Sequence, residues 1–203
     1  MKNVLFDLEG TLIDSQKLQI RVLKTVFKHF GVSTYKMDMV ALIGPPLINT
    51  FEQYFGKENA QTAMNYYMQV FNEIEIKDIY VNAEMKKVLP LLKSCGFKLY
   101  TTSLQVVEIV KRELEYLGIL DYFDAVVGDD KEKPYTSKTE LVKKLIKNKK
   151  FDKGATILVG DTEFDRVCAE KNKIKFIGVG WGYGLKGENC ANSAEELLNK
   201  IDE

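Results

Sequence analysis

The sequence has little from which a zinc site or a disulfide framework could be built. Its 203 residues include one histidine, His29, and three scattered cysteines, Cys95, Cys168 and Cys190, with no C-x-x-C spacing. An odd, dispersed set of thiols argues against structural disulfides and zinc alike. Without a second histidine to form a metal or triad pair, His29 is expected as an ordinary surface or half-buried residue. Charge of one sign is not in excess either: 29 Lys and Arg balance 29 Asp and Glu, so nothing points to nucleic acid or to an acidic solvating tail. No apolar run approaches the ~18 residues of a membrane span. The first apolar run is too short for a signal peptide and is broken by Asp7. Internal repeats and low-complexity linkers are also lacking. These absences lead us to expect a cytoplasmic protein with reduced thiols that binds neither membrane nor nucleic acid; they leave its oligomeric state open.

What the chain does have is a 45% hydrophobic composition, enough for a sizeable core, and one distinctive opening stretch. Val4-Leu5-Phe6 reads as a buried strand that stops at an acidic turn, Asp7-Leu8-Glu9-Gly10-Thr11. Acids just past such a strand lie at its carboxyl end, the edge where open α/β sheets bind ligands. Gly10 lets backbone amides come close to a ligand.

After that turn, Ser15 is expected to cap a helix carrying Leu18, Val22, Leu23, Val26, Phe27 and Phe30, ended by Gly31. The helical pattern continues over 34–78, interrupted at Gly44-Pro45-Pro46, with a segment at 37–43 before the break, one at 47–55 and an amphipathic stripe at 58–76. Beyond residue 80 helices and strands alternate: helix 83–93, strand 97–102, helix 106–117, strand 125–128, helix 139–146, strand 156–160, helix 163–171, strand 175–179 and helix 194–201. Such alternation calls for a doubly wound parallel sheet, a Rossmann-like core with helices on both faces. The first strand joins this sheet, since alone it could not satisfy its backbone groups. The expected core is therefore residues 1–14 and 81–203, with an inserted all-helical domain at 15–80 positioned to act as a lid. Pro90 falls inside the 83–93 helix and should kink it or shift its start.

Three further strand ends carry polar residues: Ser103, the run Gly160-Asp161-Thr162-Glu163-Phe164-Asp165, and Lys138 at the start of the helix after strand 125–128. In a parallel sheet these meet along one edge. Carboxylates gathered there repel one another unless a cation intervenes, and an all-oxygen donor set suits Mg²⁺. A carboxylate can also attack phosphorus. Ser103, Lys138 and the amides near Gly10 would then hold the transferred group.

Together, Asp7-Leu8-Glu9-Gly10-Thr11-Leu12, Ser103, Lys138 and Gly160-Asp161-Thr162-Glu163-Phe164-Asp165 resemble the four motifs of the haloacid dehalogenase-like superfamily. Ile43-Gly44-Pro45-Pro46-Leu47 and Gly178-Val179-Gly180-Trp181-Gly182-Tyr183-Gly184 resemble its phosphoglycolate phosphatase-like branch, which has a small helical cap. The resemblance implies a phosphatase acting on a small phosphorylated metabolite, with Asp7 as nucleophile and Glu9 as acid-base residue. It also implies phosphate binding by Gly10, Thr11, Ser103 and Lys138, and a Mg²⁺ site made by Asp7, the main-chain carbonyl of Glu9, Asp161 and the supporting Asp165. Lys133, before Pro134, is a rival to Lys138.

One catalytic position departs from the pattern. The family's phosphatases carry aspartate two residues after the nucleophile, and here the residue is Glu9. The extra methylene displaces the acid by about a C–C bond length, and a misplacement near ~1 Å can cost ~100-fold. A low-turnover phospho-ligand binding protein is therefore one alternative reading, and a sugar-phosphate mutase, a reaction found among related enzymes, is another. Gln105 likewise stands where relatives often carry a basic residue.

Overall fold

The computed structural model describes residues 2–43, 47–129 and 137–203. In chain order the strands are β1 (Asn3–Phe6), β2 (Ile13–Asp14), β3 (Tyr80–Val81), β4 (Lys98–Thr101), β5 (Thr156–Gly160) and β6 (Lys175–Gly178). The helices are α1 (Gln16–His29), α2 (Leu47–Phe55), α3 (Lys57–Glu73), α4 (Met85–Ser94), α5 (Val107–Tyr116), α6 (Lys138–Lys149), α7 (Glu163–Asn172) and α8 (Ala194–Asp202). Two compact units divide the chain, Met1–Asp14 with Tyr80–Glu203, and Ser15–Ile79.

In the first unit four strands form a parallel sheet in the order β4-β1-β5-β6. Because strand side chains alternate, Val4, Phe6, Leu99, Ile157, Val159 and Ile177 share one face with side chains of α4, α5 and α8. Leu5, Tyr100 and Leu158 fill the other, against Leu141, Val142, Leu145 and Ile146 of α6 and Cys168 and Ala169 of α7. Both faces are covered, which is why β1 reads as an unbroken apolar run. Full burial of a side chain such as Leu5 or Leu158 contributes roughly 1.5–3 kcal/mol. The fold is thus a doubly wound α/β core, and the parallel register brings the ends of β1, β4 and β5 to one edge.

The second unit is helical, with α2 and α1 each packed on α3. Its interior is aromatic: Phe27 meets Tyr54 and Phe55 edge-on at 5.2 and 5.0 Å, and Phe51 stacks on Phe55 at 5.5 Å. His29 is exposed and stacks on Tyr66. No helix among the described residues is long and apolar enough to cross a membrane.

Four local expectations are corrected. The segment 125–128 is not a regular strand: it makes one bridge, Ala125 to Tyr100. Val127 N donates to the Thr101 hydroxyl at 2.8 Å instead of to a backbone carbonyl, so the pairing is one-sided, with Thr101 N and Ser103 N still donating to Ala125 O and Val127 O at 3.4 and 3.3 Å. Residues 37–43 form turns and not a helix, since Asp38 accepts from Val40 N and Ala41 N at 3.1 and 3.2 Å and offers the backbone a turn instead. Ser15 does not cap α1 with its hydroxyl, which accepts from Gln19 Nε2 at 2.9 Å. Finally, 13–14 and 80–81, expected only as the boundaries of the inserted domain, pair as a two-residue antiparallel ribbon, Ile13 opposite Val81 and Asp14 opposite Tyr80. Pro90 lies inside α4, where no backbone N–H is available to donate. The Gly44-Pro45-Pro46 motif lies outside the described residues.

Candidate active site

The β1 ladder runs one step past the strand, with Asp7 N donating to Val159 O at 2.9 Å, and so pins Asp7 at the carboxyl edge. The chain then turns tightly, with Leu12 N and Ile13 N both donating to Leu8 O. Gly10 sits in this turn at φ +84°, where a side chain is strained. A Cβ there would also lie 2.5 Å from Asp161 Oδ2. The glycine admits Asp161 to the site, a more direct role than the approach to a ligand read from sequence.

Asp161 follows β5 and is fully buried. Each of its carboxylate oxygens has a donor, Thr11 Oγ1 on Oδ1 at 3.2 Å and Tyr183 N on Oδ2 at 2.7 Å. Thr11, expected to bind substrate, is itself fully buried, and its hydroxyl orients Asp161. Asp165, in the first turn of α7, forms a capping box with Thr162: its Oδ2 accepts from Thr162 N at 3.1 Å, and Thr162 Oγ1 accepts from Asp165 N at 3.3 Å. Its other oxygen, Oδ1, accepts from Lys138 Nζ, which also donates to Asp7 Oδ1. Lys138 opens α6 beside the capping Ser137; its rival Lys133 lies outside the described residues.

Asp7, Asp161 and Asp165 each offer an oxygen, and these lie within 4.8 Å of one another. Burial raises Asp7 well above the ordinary carboxylate range; Lys138 opposes this, and Asp165 and Asp161 reinforce it. Asp161 is raised as well, by burial first, with the Tyr183 amide pulling the other way. Burial alone would lower Lys138, but Asp165 and Asp7 hold it above its usual value. One ammonium thus faces three carboxyl groups, Asp161 and Asp165 buried and Asp7 half-buried, too little positive charge to balance all three when ionised. An all-oxygen set with that excess charge fits a hard divalent cation such as Mg²⁺. The Glu9 carboxylate is not in this cluster, which leaves its main-chain carbonyl as the group it could offer a metal.

Glu9 is half-buried, and its Oε1 accepts from Gln105 Nε2 at 3.1 Å. Ser103, nearly buried after β4, accepts from Gln105 N at 3.0 Å. Gln105 therefore links the acid of the first motif to the hydroxyl of the second. Sequence reasoning gave it no such part. It also missed Glu113, a fully buried acid of α5 whose carboxyl interacts electrostatically with Glu9. The available signal was an acid in the apolar series Val106, Ile109, Val110, Leu114. The glycine-rich run after β6 was noticed, but not that Tyr183 fastens Asp161 or that Trp181 Nε1 donates to Thr11 O at 3.1 Å.

The chain is also similar to known proteins. Residues 4–179 match the family described as haloacid dehalogenase-like hydrolase. The chain is 32% identical to phosphoglycolate phosphatase of Aquifex aeolicus, covering 90% of this chain and 86% of that one. It is 29% identical to the pyrophosphatase PpaX of Bacillus velezensis, over 98% and 93% of the two chains. Among solved structures it resembles a predicted phosphatase from Clostridium acetobutylicum, with a TM-score of 0.87, 30% identity, and coverage of 99% and 98%.

Proposed function

Because the chain belongs to the haloacid dehalogenase-like hydrolase family, we propose that it is a Mg²⁺-dependent phosphatase hydrolysing phosphate monoesters of small metabolites through an aspartyl phosphate on Asp7. The observation that carries this reading is the convergence of Asp7, Asp161 and Asp165 at one sheet edge, with Lys138 bound to two of them.

In the first step an Asp7 oxygen attacks phosphorus as the bond to the leaving oxygen breaks, and Glu9 gives its proton to that oxygen. In the second, water attacks the same phosphorus and Glu9 takes the water's proton, releasing inorganic phosphate and restoring Asp7. Lys138 and Ser103 neutralise and orient the phosphoryl oxygens. Asp7, Asp161 and the Glu9 carbonyl would hold Mg²⁺, with Asp165 supporting; when bound, the ion supplies positive charge to the phosphoryl group. Ser15–Ile79 takes the part of the helical cap that the resemblance implies. The relatives' names, phosphoglycolate phosphatase and pyrophosphatase, support a small phosphorylated substrate.

A second reading draws on the Gln105 bond: a Glu9 carboxyl held there is not delivered to the leaving oxygen, and the protein would bind its ligand with little turnover. Release of inorganic phosphate across a panel of phosphorylated metabolites, with Mg²⁺ and with EDTA, tests the proposal. Wild type should turn over one or more of them only with Mg²⁺, and Asp7→Asn should fall to background. Substantial turnover by Asp7→Asn would rule out the aspartyl-phosphate mechanism.

A further inference from the structure

The loop after β6 touches the acid cluster and the chain crossing at once, and it does so through one residue. Tyr183 N donates to Asp161 Oδ2 at 2.7 Å, while the Tyr183 hydroxyl donates to Asp14 Oδ1 at 3.1 Å. Asp14 belongs to β2, paired in register with Tyr80 of β3, so it sits where the chain leaves the α/β unit and returns to it. Between these contacts the Tyr183 ring lies over the first turn: a Cβ on Gly10 would be 3.0 Å from Tyr183 Cδ2.

The loop around Tyr183 is built to keep this geometry. Gly182 lies so close to Asp161 that a Cβ there would come within 2.3 Å of the aspartate side chain. Leu185 N donates to Asp161 O at 2.6 Å, and Lys186 Nζ ties the loop together through Gly180 O and Gly182 O at 2.9 and 2.7 Å. A tyrosine hydroxyl gripping a carboxylate at an exposed chain crossing is not needed to satisfy a buried group; water could serve both partners. What the contact does provide is a fixed distance between the crossing ribbon and the amide that holds Asp161.

We infer that Tyr183 is a positioning residue for the cation site, a strut anchored on Asp14 that sets the direction of the Asp161 carboxylate. The inference rests on the proposed Mg²⁺ site. Partners one step removed from a metal ligand commonly change metal affinity by ~10–100-fold when lost. The Tyr183 hydroxyl stands one step further out, so its removal should cost roughly 3–10-fold.

The test is calorimetric titration of Mg²⁺ into wild type, Tyr183→Phe, Asp14→Asn and the double variant, with melting temperatures measured on the metal-free proteins. Phenylalanine keeps the ring over Gly10 and the backbone N–H on Asp161 while removing the hydroxyl that reaches Asp14. We expect each single variant to bind Mg²⁺ several-fold more weakly with little change in melting temperature, and the double variant to be no worse than either single one. Unchanged affinity in Tyr183→Phe would overturn the strut, as would full additivity in the double variant, because the two groups would then act separately. Absence of Mg²⁺ binding by wild type would overturn both this inference and the metal reading beneath it; binding by wild type with no loss in the variants would overturn the strut alone.

Discussion

Glu113 offers a sharp thermodynamic test of the α/β core. It lies on α5 between Val110 and Leu114, is fully buried, and neither of its carboxyl oxygens has a hydrogen-bond partner among the described residues. Burial pushes its pKa from 4.5 up to about 8, with the nearby charge of Glu9 adding to the rise and Arg112 opposing it. The folded protein therefore keeps this proton over a range in which the unfolded chain releases it. For an acid raised on folding, the associated stability is fully present below the unfolded value of 4.5 and is lost as pH climbs through about 8.

Raising one carboxyl from 4.5 to about 8 corresponds to about 5 kcal/mol between the extremes. By linkage, about 3 kcal/mol of this falls between pH 5.5 and 8.5. Glu113→Gln retains the shape and removes the titration. Urea denaturation of wild type and Glu113→Gln in EDTA, at pH 5.5, 7.0 and 8.5, cancels the other titrating groups in the difference. Relative to the variant, wild type should lose about 3 kcal/mol across that range. Glu113→Leu, which replaces an unpartnered polar group with an apolar one, should be more stable than wild type throughout, and most clearly at alkaline pH. Parallel pH curves for wild type and Glu113→Gln would refute the argument, because Glu113 would then be solvated or partnered in the folded state.

Other predictions address the site. Gly10→Ala should be destabilised by ~1–2 kcal/mol and lose most phosphate release, since φ +84° and the 2.5 Å approach to Asp161 both oppose a Cβ; denaturation and kinetics together check this. Asp161→Ala should abolish Mg²⁺ binding with little loss of helix stability. Asp165→Ala should also lower the melting temperature, because Asp165 closes the capping box of α7 and pairs with Lys138; equal melting temperatures for the two variants would contradict that division of labour. If Glu9 is the working acid, Glu9→Gln should lower kcat by ~100-fold or more at nearly constant KM. Background turnover by wild type together with a gain in Glu9→Asp would instead support the binding protein.

The elements were legible wherever burial and sequence period agree. β1, buried at every position, carries a short apolar run, and β5 matches its expected bounds, all five of its positions being buried. Legibility failed where a side chain takes over a backbone bond. Thr101 intercepts the amide of Val127, and Asp38 draws residues 38–41 into a turn; in neither case does the apolar pattern record the competition. The ribbon at 13–14 and 80–81 was missed because two residues are too few to show a period.

The site divides along the same line. Residues that touch one another through the topology of the sheet, Asp7, Asp161, Asp165 and Lys138, could be gathered from the sequence because parallel strands must end on one edge. Residues that act through a particular contact could not. Thr11 looks like a phosphate ligand until its hydroxyl is found on Asp161, and Gln105 looks like a lost charge until its amide is found on Glu9. These contacts bear directly on Glu9, where the sequence departs from the pattern that the resemblance implies. The acid at position 9 meets a neutral amide donor, and a buried carboxyl on α5 lies within its electrostatic reach. Gln105 supplies Glu9 with a hydrogen bond but no charge, whereas a cation in its place would favour the ionised carboxylate. The three positions should therefore be varied together: if Glu9 is the acid, Gln105→Lys should shift the alkaline limb of the rate profile to lower pH, and an unshifted limb would show that this limb does not report Glu9.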